Sequence, residues 1–106
     1  MLLKELIFTG FNRQVAALDR RTGLIIWQWK AAKGRSYVTL LLEGDVLVVS
    51  VDGYMYGLNA LTGVELWCNE MTGFGMGVAS LASVNGSAQS LNSVASAAAA
   101  AAAAST

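Results

Sequence analysis

Histidine is absent from the 106 residues, and cysteine occurs once. Without histidine the commonest general base and the commonest metal ligand are both missing. The lone Cys68 can form no internal disulfide, which fits a reducing compartment. Charge is sparse and balanced, with seven basic and seven acidic residues and no basic run longer than Arg20-Arg21. Binding to phosphate backbones needs clustered Lys and Arg, so nucleic acid is not an expected partner. No apolar run reaches the ~18 residues of a membrane span, because Ser, Asn and Gln break the Ala-rich end. The apolar start is interrupted by Lys4-Glu5 and lacks the ordered regions of a secretory signal. These absences lead to the expectation of a soluble, cytoplasmic protein without a membrane partner. A hydrophobic content of 55% and a mean hydropathy of +0.50 are too apolar for an intrinsically disordered chain.

What the chain does have is an internal repeat. Val15-Ala-Ala-Leu-Asp-Arg-Arg-Thr-Gly-Leu-Ile-Ile-Trp27 recurs as Met55-Tyr-Gly-Leu-Asn-Ala-Leu-Thr-Gly-Val-Glu-Leu-Trp67. Leu18, Thr22, Gly23 and Trp27 fall on Leu58, Thr62, Gly63 and Trp67, each 40 residues on. A period of about 40 residues is the mark of propeller arrays built from four-stranded blades.

The segments between turn signals read as strands. They cover 3–10, 14–18, 24–30, 36–42, 46–51, 54–59, 64–69 and 78–84. Alternation in the third places Ile25, Trp27 and Trp29 on one face and Leu24, Ile26 and Gln28 on the other. Asp19 to Gly23 and Ala60 to Gly63 are hairpin loops, and Asp52-Gly53 is a strong two-residue hairpin signal. Residues 71–77 form a Gly-rich loop. The expected fold is all-β, with two propeller blades over residues 1–86, as repeats of about 4–43 and 44–83. Residues 87–106 are a Ser/Ala-rich tail with eight alanines at 97–104, expected to be helical or disordered.

With blade strands labelled A to D from the centre outwards, the chain opens on B, C and D of one blade. It continues through A to D of a second and ends on another A at 78–84. Two blades cannot close a ring, which needs about four to eight. They would also leave both broad faces uncovered. The expected partner is therefore the chain itself, with residues 78–84 of one copy pairing residues 3–10 of the next. Four copies would give a homotetramer of eight blades, and three a homotrimer of six.

The pattern Ala-x-Leu-Asp-x-x-Thr-Gly-x-x-x-Trp of residues 16–27 resembles the tryptophan-docking repeat of quinoprotein-type propellers, the pyrroloquinoline quinone (PQQ)-like repeat. The second copy departs by Gly57 for Ala and Asn59 for Asp, and the resemblance spans residues 3–84. It implies that Trp27 and Trp67 stack on neighbouring blades above Thr-Gly turns. Leu18, Thr22, Gly23, Trp27, Leu58, Thr62, Gly63 and Trp67 are then blade-docking residues. The catalytic Asp, the Ca²⁺-binding Glu and Asn and the paired cysteines of the quinoprotein dehydrogenases are not recognisable. No cofactor is expected, PQQ included, and no metal or catalytic residue is assigned.

The remaining candidates have structural readings. Asp19, Asp45 and Asp52 sit in turns and are expected to cap their own loops. Gly73-Phe-Gly-Met-Gly77 lacks the Lys-Ser/Thr of a phosphate loop. Arg13, Arg20, Arg21, Lys30, Lys33 and Arg35 lie in or beside loops as a solvated surface, and Cys68 reads as an inert packed thiol. The functional expectation is a non-enzymatic scaffold. The alternative is a small-ligand binder or enzyme whose site lies on the axis of the assembled ring.

Overall fold

Apolar alternation and left-handed turn residues divide the chain into short antiparallel strands. A computed structural model describes residues 1–88. A 3-10 turn at Leu3–Glu5 precedes β1 (Leu6–Phe11), β2 (Gln14–Asp19) and β3 (Ile25–Lys30). Then come β4 (Val38–Glu43), β5 (Val46–Val51), β6 (Tyr54–Asn59), β7 (Glu65–Asn69), β8 (Leu81–Ser83) and β9 (Gly86–Ala88). The strands form three sheets in sequence order, β1-β2-β3, β4-β5-β6-β7 and the hairpin β8-β9. The protein is all-β and antiparallel, and no helix among the described residues is long and apolar enough to cross a membrane.

The first two sheets face each other across one core. Val15, Ala17, Leu6 and Trp27 of the first blade meet Leu47, Val49, Val51, Tyr56 and Leu58 of the second. Aromatic contacts reinforce the seam. Phe8 and Trp27 lie with ring centroids 6.0 Å apart, and Trp29 meets Tyr56 edge-on at 4.8 Å. The Trp29 indole N–H also donates to Glu65 Oε1 at 3.1 Å, tying β3 to β7.

Several expectations change in detail. Residues 3–5 are not strand, because the backbone turns there and the Glu5 N–H bonds the Leu2 carbonyl at 2.9 Å. The inner strand expected at 78–84 is regular only over Leu81–Ser83. Ile25 does not share the face of Trp27. Ala17 pairs Trp27 and Leu18 pairs Ile25, so one residue of β3 bulges and the alternation reverses. The same irregularity recurs between Gly57 and Leu58. Ser87 and Ala88, placed by sequence in the tail, end β9, and the expected helix or disorder at 97–104 lies outside the described residues.

Asp52 does not cap its own loop. Its Oδ2 accepts the N–H groups of Arg35 and Ser36 at 2.6 and 3.3 Å, and its Oδ1 that of Tyr37 at 3.1 Å. It thereby fixes the connection between the two blades, whose backbone donors would otherwise go unpaired. Asp19 behaves as expected, accepting from the N–H groups of Arg21 and Thr22.

Candidate assembly interface

The repeated turn is built the same way twice. Asn59 Oδ1 accepts from Leu61 and Thr62 as Asp19 does from Arg21 and Thr22. Thr22 Oγ1 accepts the Leu24 N–H and Thr62 Oγ1 the Val64 N–H, both at 3.3 Å. Gly23 and Gly63 close their turns at φ of 76° and 78°, where a side chain is disfavoured. Leu58 is fully buried and Leu18 half-buried.

One tryptophan uses such a turn. The Trp27 indole lies on the β6–β7 turn of the second blade, and its N–H donates to the Ala60 carbonyl at 3.0 Å. A Cβ on Gly63 would come within 2.6 Å of the ring, so the turn admits the indole because the residue is glycine. Trp27 is 9% exposed. Among the described residues the other tryptophan lies on no such turn, its ring resting instead on Gly57. Trp67 is 43% exposed and borders a groove of about 710 Å³ between the second blade and the β8–β9 hairpin. Leu41, Val48, Met55, Phe74 and Met76 line it with Trp67. The unused turn is at Gly23, where a Cβ would meet nothing within 4 Å. The sequence-predicted residues thus divide: Trp27, Leu58 and Gly63 come together in one seam, whereas Trp67 lies over Gly57 of its own sheet, where a Cβ would come within 2.2 Å of the ring, and Gly23 meets no indole among the described residues.

The two sheet faces show the same inequality. Leu47, Val51 and Leu58 face the first blade and are 1%, 0% and 0% exposed. Their counterparts 40 residues earlier are Ile7, Phe11 and Leu18. Ile7 pairs Leu18 across β1 and β2, and Ile7 and Phe11 are 49% and 64% exposed. Ile25 and Ile26 add to this open apolar face. Sequence reasoning missed the Ala60 carbonyl, which is a backbone group, and the exposed Ile7 and Phe11. The 40-residue offset to buried Leu47 and Val51 was the signal for the latter.

The hairpin that walls the groove is held by Glu43. Its carboxylate accepts from the Ser83 hydroxyl and from Asn85 Nδ2, the latter at 2.8 Å. At the opposite edge Lys33 forms an exposed salt bridge with Glu70, which raises the lysine pKa. Cys68 is exposed rather than packed, because β7 is the outer strand of its sheet and all five of its residues are exposed. Partial desolvation, then the carboxylates of Glu65 and Glu70, raise the pKa of its thiol, so the thiolate is disfavoured. Among the described residues no three His, Cys, Asp or Glu side chains converge as a metal site.

Compared with known proteins, the chain matches the PQQ-type family model described as outer membrane protein assembly factor BamB over residues 4–104. No curated protein matches it.

Proposed function

The chain belongs to the PQQ-type repeat family described as outer membrane protein assembly factor BamB, and from that premise we propose that it is a non-enzymatic interaction scaffold, a ring-shaped propeller assembled from identical copies. The observation that carries this reading is the pair of unmatched halves. Among the described residues each chain has one completed junction of a Trp on a Thr-Gly turn, Trp27 on Gly63, together with Trp67 off any such turn at one end and an open Gly23 turn at the other. Trp67 of one copy would lie on the next copy's Gly23 turn, its indole N–H reaching the carbonyl at Arg20, which stands where Ala60 does.

Such a contact joins two different patches, so it is heterologous and closes into a ring when the rotation per copy fits. At two blades per copy, four copies give eight blades and three give six. The apolar Ile7, Phe11 and Leu18 face of the next copy would cover Val48, Met55 and Trp67. Covering such a patch is the physical drive, because contiguous apolar surface on a soluble protein marks an interaction site. The residues held in place by the repeat serve turns and packing, which suits recognition through the ring's surface. The family description also names an assembly factor.

Replacing Trp67 by Ala tests the proposal. The variant should keep its strand content by circular dichroism and sediment as a single chain. A variant that keeps the wild-type mass above one chain would refute it.

A further inference from the structure

The hairpin β8–β9 puts a strand of the chain's own where a neighbouring copy should bind. In the second blade β4 pairs β5, with Leu41 opposite Val48, Leu42 opposite Leu47 and Glu43 opposite Val46. The hairpin repeats that register 40 residues on, with Leu81 opposite Ala88, Ala82 opposite Ser87 and Ser83 opposite Gly86. β9 therefore occupies the second-strand place of a third blade. The first blade has the converse defect, because β1 holds the second-strand place in a sheet that has no inner strand among the described residues. β1 and β9 thus hold equivalent places in the repeat.

We propose that β9 is a placeholder that β1 of a second copy displaces, so that β8 of one chain becomes the inner strand of the next chain's first blade. This inference rests on the assembly reading above and adds which strands exchange and in what register. The β4–β5 register carried over by the repeat pairs Val78 with the next copy's Phe11, Ser80 with its Thr9, Leu81 with its Phe8 and Ala82 with its Ile7. The exchange is directional. β9 offers three residues, Gly-Ser-Ala, that bury almost nothing, whereas β1 offers six and belongs to a sheet whose open face carries Ile7 and Phe11. Longer pairing and the covered apolar face both favour β1. Glu43 keeps β8 in place throughout, because it holds Ser83 and the turn residue Asn85 and no residue of β9.

Cysteine pairs in a Cys68→Ser background test this in the full chain. Thr9→Cys with Ser80→Cys should oxidise to covalent links between chains, giving a ladder on denaturing gels. Ala82→Cys with Ser87→Cys locks the hairpin within one chain. That lock should weaken self-association at least ten-fold, and a reductant should restore it. An oligomer that forms equally well with the hairpin locked, and in which Thr9 and Ser80 do not cross-link, would overturn the exchange while leaving assembly standing. A protein that stays a single chain at every concentration would overturn both.

Discussion

Trp27 lies against Gly63 so closely that a single added methyl group would sit 2.6 Å from its ring. This contact joins the two blades, and among the described residues Trp67 and Gly23, the counterparts 40 positions on and back, make no such junction. Trp27→Ala should therefore lower stability by about 3–5 kcal/mol, the usual cost of emptying a buried tryptophan site. The loss should be independent of protein concentration in thermal melts. Trp67→Ala should instead remove a concentration dependence of the melting temperature, the result expected if a second copy covers the exposed part of that side chain.

Gly23 and Gly63 offer a second comparison. Alanine at either pays for a left-handed backbone, about 1 kcal/mol. Only at position 63 does the new methyl also meet an indole within the chain. Gly63→Ala should be the more destabilising in dilute, dissociated protein by chemical denaturation. At assembling concentrations Gly23→Ala should match it.

Arg13 holds a left-handed backbone, at φ 58°, where the second copy of the repeat has Gly53. Its Nε is buried with no partner among the described residues, and the backbone bonds of the turn run from the Arg13 N–H to the Ser36 carbonyl and from the Ala31 N–H to the Arg13 carbonyl. Arg13→Gly keeps those bonds and relieves the strain, so it should raise stability by about 1 kcal/mol in a urea titration.

The Tyr56 hydroxyl accepts the Lys33 N–H at 3.0 Å and donates to the Lys33 carbonyl at 2.9 Å, so it fastens the inter-blade loop. Desolvation raises the phenol pKa above its ordinary 10.0. A pKa raised in the folded state gives stability that is complete below the unfolded value and declines as pH rises through the folded one. Stability should fall above about pH 10, and Tyr56→Phe should flatten that decline. The same change should cost about 1–3 kcal/mol at neutral pH, because the Lys33 N–H loses its partner.

Much of the fold was legible because the repeat is a packing instruction. Asp-x-x-Thr-Gly and Asn-x-x-Thr-Gly dictate their turns locally, and both form. Asp52-Gly53 likewise turns with φ of 53° and 98°. The face of Ile25 was not legible, because the bulge between Ala17 and Leu18 depends on how three strands fit together. Asp52 looked like a local cap, yet its partners are 15 to 17 residues away. The uneven use of Trp27 and Trp67 was also hidden. The two motifs share their Leu, Thr-Gly and Trp, and among the described residues only the first is followed by a complete four-stranded blade.

The mass of the protein in solution tests the central claim most directly. Sedimentation equilibrium at tens of micromolar should give a closed species of four or three 11.1 kDa chains, with no larger material as concentration rises. A single species at the mass of one chain, with Trp67 still open to solvent by quenching, would contradict it.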